Sequence, residues 1–216
     1  MLQTLSRAGF FDRSLLIGSW VMPIYGKAYG ASYVLRTLDL DFAVHLVGRA
    51  RGRQADLAKM FSELGLVDFF TAEGLQKFTL AGYEVEFFVH RRGGRADEAV
   101  LVREWNVTAR PLPFIDLLTD FSEEVEVDGV VIRIPWPEAF LVHKLIIAPK
   151  RVDDSKKLKD MEQCRVLKEI VDSGRLLQVA QARRLSKKTR RDIVAGCRLI
   201  DFPLLVPIIE EIVVEM

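Results

Sequence analysis

A chain of 216 residues is long enough for one large domain or two small ones with a sizeable core, and its composition, half apolar and 28% charged, excludes a disordered or fibrous chain. The formal net charge of +1 makes no global claim on nucleic acid, so any such contact has to come from a local basic patch. Two isolated cysteines without metal-type spacing, no basic leader with a long apolar run, and no apolar stretch of transmembrane length lead to the expectation of a cytoplasmic protein with no membrane contact.

In chain order, residues 1–15 read as a short helix or lead-in docked through Leu2, Leu5 and Phe10. Leu16-Ile17-Gly18-Ser19-Trp20 reads as a strand or turn ending in Gly-Ser ahead of a helix. Pro23, Gly26 and Gly30 predict that the segment from Trp20 to Ser32 is irregular in its middle. Arg36 to Phe42 reads as a strand that carries two carboxylates. Because strand side chains alternate, Asp39 and Asp41 share one face while Leu38, Leu40 and Phe42 share the other. Arg49, Arg51 and Arg53 then form a basic loop, and Asp56 to Leu64 carries a helical apolar stripe stopped by Gly65. Leu75–Leu80 and Tyr83–Val89 flank Ala81-Gly82 as a tight hairpin, with Glu84 and Glu86 on one face of its second strand.

His90 to Asp97 reads as an arginine-rich loop, and no clear element emerges between Val100 and Leu118, where Pro111 and Pro113 break the apolar runs. Val125–Val127 and Val130–Ile134 flank the turn Asp128-Gly129, a hairpin expected to close the sheet. Helical patterns follow. One opens at Pro137 and carries Lys144 among apolar residues. Another runs from Lys156 to Ser173, with Leu158, Met161, Cys164, Leu167 and Val171 inward, Asp160 off that stripe and Gly174 as its stop. Two or three more helices end the chain, with a basic cluster at Arg183, Arg184, Lys187, Lys188, Arg190 and Arg191.

Two carboxylates a few Å apart repel each other unless a cation neutralises them, and oxygen ligands suit Mg²⁺ or Mn²⁺. On Asp39-Leu40-Asp41 alone, an ordinary half-exposed strand is the simpler reading. The upstream Gly18-Ser19 shifts the balance, since glycine admits close backbone approach and a helix start attracts phosphate.

Gly18-Ser19, Asp39-Leu40-Asp41 and the acids of Tyr83 to Phe88 resemble the nucleotidyltransferase superfamily typified by DNA polymerase β. The resemblance is closest to the minimal bacterial and archaeal members related to abortive-infection toxins. The downstream Lys144, Arg151 and Lys159-Asp160 extend it to about residue 160. Two departures stand out: the gap from Ser19 to Asp39 is longer than in many members, and the third acid is Glu where Asp is commoner.

The resemblance implies catalytic and metal-binding roles for Asp39, Asp41 and Glu86, with Glu84 as the alternative third acid. It implies nucleotide binding by Gly18, Ser19, Lys144, Arg151 and Asp160. Mg²⁺ or Mn²⁺ would be the cofactor. The implied reaction moves a nucleoside monophosphate from an NTP to an acceptor, whether RNA or tRNA held by the Arg183–Arg191 cluster, a protein, or a small molecule. A toxin–antitoxin pairing and a catalytically silent nucleotide- or RNA-binding module are the other roles it suggests. The expected architecture is an α/β catalytic domain over residues 1–135 and a helical domain over 136–216 that completes the cleft.

Overall fold

The computed structural model describes residues 1–46, 54–91, 98–182 and 185–211, and it divides into two compact units, Met1–Ile24 with Leu35–Pro135 and Tyr25–Val34 with Trp136–Met216. The architecture is mixed α/β. The basic loop at Arg49, Arg51 and Arg53, the glycine-arginine loop at Arg92 to Asp97, and Arg183 and Arg184 lie outside the described residues.

In the first unit, α1 (Leu2–Arg7) buries Leu5, and a 3-10 turn buries Phe10 and Phe11. Strand β1 (Ser14–Ile17) is buried along its length and runs through a 3-10 turn, Gly18–Trp20, into α2 (Val21–Tyr29), whose residues from Tyr25 on belong to the second unit. The irregular middle expected here is a regular helix instead. Pro23 falls in the first turn, where its missing N–H removes no intrahelical bond, and Gly30, at φ +78°, follows the helix. Next come β2 (Asp39–Val44) and α3 (Leu57–Glu63), whose first turn is capped by the Asp56 carboxylate accepting from the Lys59 N–H at 3.1 Å. Strands β3 (Val67–Phe70), β4 (Gln76–Leu80), β5 (Tyr83–His90), β6 (Val100–Val102) and β7 (Val107–Leu112) follow, then α4 (Ile115–Asp120) and the hairpin β8 (Ser122–Val127) and β9 (Val130–Pro135).

These strands form a seven-stranded sheet in the order β1-β2-β5-β4-β3, with β7 also beside β5 and β6 beside β7. Strand β5 is its spine. It runs parallel to β2 on one flank; on the other it pairs antiparallel with β4 over Tyr83–Val85 and parallel with β7 over Phe88–His90. The β4–β5 loop is the predicted two-residue turn, with Ala81 at φ 51° and Gly82 at φ 84° as a primed turn demands. The β8–β9 hairpin forms around Asp128-Gly129, but it does not close the sheet: it is a separate two-stranded ribbon, and β9 packs on β1 and α1. Strand β1 already ends the hydrogen-bonded order on that side, so the ribbon joins through side chains.

One face of the sheet carries an aromatic core. Phe10 meets Trp105 at 5.2 Å and Phe42 at 5.5 Å between ring centroids, and Phe61 meets Phe78 at 4.9 Å. Edge-to-face contacts of this kind add to the apolar burial and fix which way β2, β4 and β5 face. The acidic residues of β2 and β5 are thereby set on the opposite face.

The second unit is built around α5 (Pro137–Ile147), which opens on Pro137 and is buried from Pro137 to Ile146 on all sides. Around it lie α6 (Asp154–Leu167), α7 (Ser173–Gln181) and α8 (Lys187–Leu199), followed by α9 (Leu205–Glu211). A Cβ on Gly196 of α8 would come within 2.8 Å of Leu145 Cδ2, so glycine sets the closeness of α8 and α5. The single helix expected from Lys156 to Ser173 is two: α6 ends at Leu167, and Gly174 lies in the first turn of α7, capped by Asp172. Leu158 is 68% exposed rather than inward, and Asp160, expected off the stripe, is buried. Among the described residues no helix is long and apolar enough to cross a membrane.

Candidate functional site

Strand alternation and register gather the first cluster. Parallel pairing sets Asp39 beside Glu84 and Asp41 beside Glu86, with Leu40 and Phe42 beside Val85 and Phe87 on the core side. Neighbouring strands lie about 4.8 Å apart, so four carboxylates share one patch of sheet. Asp39 is exposed, and its Oδ2 accepts from Thr37 Oγ1 at 3.1 Å. Asp41 is half-buried.

The antiparallel β1–β2 pairing places Ile17 opposite Asp41, which brings the next residue, Gly18, against the acid. A Cβ built on Gly18 would stand 2.1 Å from Asp41 Oδ2, and Gly18 adopts φ +69°. The glycine is therefore needed twice over, for the left-handed backbone and for the space the carboxylate occupies. Ser19 is buried within the 3-10 turn that starts at Gly18 and leads into α2. We expect Gly18→Ala to lower the unfolding free energy by about 1–3 kcal/mol. It also displaces the Asp41 carboxylate, which a crystal structure of the variant would reveal directly.

Sequence reading missed Lys77 of β4. Its ammonium bonds Glu84 Oε1 at 2.7 Å and ion-pairs with Glu86. Burial pulls the lysine pKa down, but the bonds from both glutamates outweigh it and hold the group above its usual value. The signal was available: the two-residue Ala81-Gly82 loop pairs Leu80 with Tyr83 and Thr79 with Glu84, which carries Lys77 to the level of Glu86 on the same face.

A hard divalent cation suits the Asp39–Asp41 pair, which offers only oxygen donors on one face beside the space left by Gly18. Glu86 stands next to Asp41 in register but is committed to Lys77. Among the described residues no three His, Cys, Asp or Glu side chains come together as a metal-binding group.

The second cluster belongs to the helical unit. Lys144 of α5 donates to Asp160 Oδ1 at 2.5 Å, and Arg151 Nε donates to Asp160 Oδ2 at 2.9 Å. The Asp160 side chain is 1% exposed, that of Lys144 is 6% and that of Arg151 is 38%. Lys144 is thus not a snorkelling lysine; its ammonium is held inside by a carboxylate and lies 5.0 Å from the centroid of the Phe140 ring. Burial pushes the Asp160 carboxyl up, but Lys144 and Arg151 outweigh it and hold it below its ordinary value.

His143, next to Lys144, is buried, and its Nδ1 has no hydrogen-bond partner among the described residues. Burial, reinforced by the nearby Lys144 charge, depresses its pKa from 6.5 to about 3. The unfolded chain therefore binds a proton that the folded chain refuses. Stability is lost as pH falls below the 6.5 of the unfolded state, by up to about 1.4 kcal/mol per pH unit, until the folded imidazole protonates near 3. Urea unfolding of His143→Gln at pH 7, 5 and 4 is expected to show a shallower acid slope than the wild type.

Of the basic cluster, Lys187, Lys188 and Arg191 are exposed along α8 and Arg190 is half-buried.

The chain is similar to a solved structure titled an antigenic nucleotidyltransferase-like protein from Paracoccidioides brasiliensis. That match has 14% identity and a TM-score of 0.53 and covers 97% of this chain and 92% of the other, a likeness of fold. No curated protein matches the chain. A family model described as Nucleotidyltransferase matches residues 1–186. With the Gly18 turn set against Asp41, and Asp39 and Asp41 in register with the acids of β5, the chain belongs to this nucleotidyltransferase family.

Proposed function

We propose that this protein transfers a nucleoside monophosphate from an NTP to an acceptor, with Asp39 and Asp41 as the residues that hold Mg²⁺ or Mn²⁺. The observation that carries the reading is the Asp41 carboxylate packed into the space left by Gly18, at the start of the turn into α2. When bound, the ion supplies Lewis-acid stabilisation of charge at the transferring phosphorus.

The protein's own groups do the rest. The turn at Gly18 and Ser19 receives the β- and γ-phosphates on backbone N–H groups. Asp39, the more exposed of the pair, takes the proton from the acceptor hydroxyl. The acceptor oxygen bonds to the α-phosphorus, the bond to the β-phosphate oxygen breaks, and pyrophosphate leaves. In the helical unit Lys144 is committed to Asp160, so we assign any anion contact made by that unit to Arg151, the exposed member of the trio.

Incubation with labelled NTPs, Mg²⁺ and separate pools of tRNA, protein and small alcohols tests the transfer and identifies the acceptor. The exposed cations of α8 motivate RNA as the first acceptor to try. An antitoxin-like partner is the matching proposal for biological role, tested by whether expression arrests growth.

One observation favours a second reading, a silent nucleotide- or RNA-binding module: Glu86 is ion-paired to Lys77. RNA binding with no Mg²⁺-dependent NTP binding in calorimetry would select it.

A further inference from the structure

The acidic face carries an internal cation that the family resemblance did not lead us to expect. Lys77 reaches Glu84 and Glu86 together, and the side chains of Lys77 and Glu86 are 18% and 19% exposed, so the pair is shielded rather than loose in solvent. Glu86 is the residue next to Asp41 in register. A divalent ion at Asp41 can recruit Glu86 only by taking it from the ammonium, and the ammonium's charge repels that ion as well.

Resting on the assignment of Asp39 and Asp41 as the ion-holding pair, we propose that Lys77 is a positioning residue that withholds Glu86 and so sets the affinity of this face for divalent cations. Two carboxylates take the ion while the lysine keeps the third.

The test is Mn²⁺ titration of the full chain without nucleotide, followed by the paramagnetic resonance of free Mn²⁺. Lys77→Met is expected to bind Mn²⁺ about tenfold more tightly than wild type, the size expected for removing one positive charge several Å from a divalent ion near solvent. Lys77→Arg, which keeps the charge, is expected to stay close to wild type. Glu86→Gln in the wild-type background should weaken binding by at most about tenfold, the Coulomb effect of one lost charge, and by clearly more in the Lys77→Met background, where it should erase the gain. A Lys77→Met titration that overlays wild type, with the circular dichroism unchanged, overturns the proposal.

If Lys77→Met fails to fold, Glu86→Gln alone decides: a loss of Mn²⁺ affinity well beyond about tenfold means the lysine does not withhold the acid. Binding that survives Asp39→Asn with Asp41→Asn refutes the ion-holding pair itself, a failure separate from any Lys77 result. Absence of Mn²⁺ binding in wild type and Lys77→Met alike overturns both.

Discussion

Asp160→Asn is expected to lower the unfolding free energy by about 3–5 kcal/mol, the usual cost of removing one partner from a buried ion pair. Asp160 is the shared acceptor of Lys144 and Arg151. Its loss leaves the Lys144 ammonium, 5% exposed overall, without a counter-charge inside a helix buried on all sides. Arg151 can turn to water, so the cost falls on Lys144. Replacing both ends of the pair, as in Lys144→Met with Asp160→Leu, should recover most of the loss, since two apolar groups need no partner. Urea midpoints of the two single variants and the double variant form the cycle that checks this.

The sign of the pH dependence follows from the depressed carboxyl. Its contribution is complete above the unfolded value of 3.8 and is lost as pH falls through the lower folded value. The acid limb of the stability curve therefore has two parts, an earlier one from His143 below 6.5 and a later one from Asp160 below 3.8.

Asp39→Asn and Asp41→Asn should behave in the opposite way. Each is expected to cut the transfer rate by about a thousandfold, or about 4 kcal/mol of barrier, because the carboxylate that holds the ion is gone. Neither should lower the melting temperature. Asp39 lies beside Glu84 and Asp41 beside Glu86, so removing one negative charge relieves repulsion on a face that carries four carboxylates. Pyrophosphate release and thermal denaturation measured on the same preparations separate the two effects. A rate loss matched by a loss of folded protein would count against the catalytic assignment.

The parts of this fold that were legible in the sequence are those fixed by local geometry. Alternation put Asp39 with Asp41 and Glu84 with Glu86 on shared faces, and the parallel register sets the two pairs side by side. Ala81-Gly82 and Asp128-Gly129 announced their hairpins because both residues of each pair take positive φ. Strand β3 escaped notice because all four of its residues are exposed, so it has no alternation to read. Strand β7 was hidden by Pro111, which sits within the strand opposite Val89 of β5. In α6 the buried set is Asp160, Met161, Gln163, Cys164 and Leu167. Two polar residues inside that stripe defeat a reading based on hydrophobic period, because what pays for burying Asp160 comes from α5 and from Arg151, outside the helix. The Lys77 pair lay between these cases, since it required carrying the hairpin register four pairs back from the turn.

The forked flank of β5 gives the acidic face two kinds of anchorage. Asp39 and Asp41 ride on a strand clasped from both sides, by β1 and by β5. Lys77 rides on an arm, β4 with β3, that is stitched to β5 only along Tyr83–Val85, while the far half of that flank is taken by β7. The ammonium and the aspartate pair therefore depend on different strand pairings, one on β4 with β5 and the other on β2 with β1 and β5.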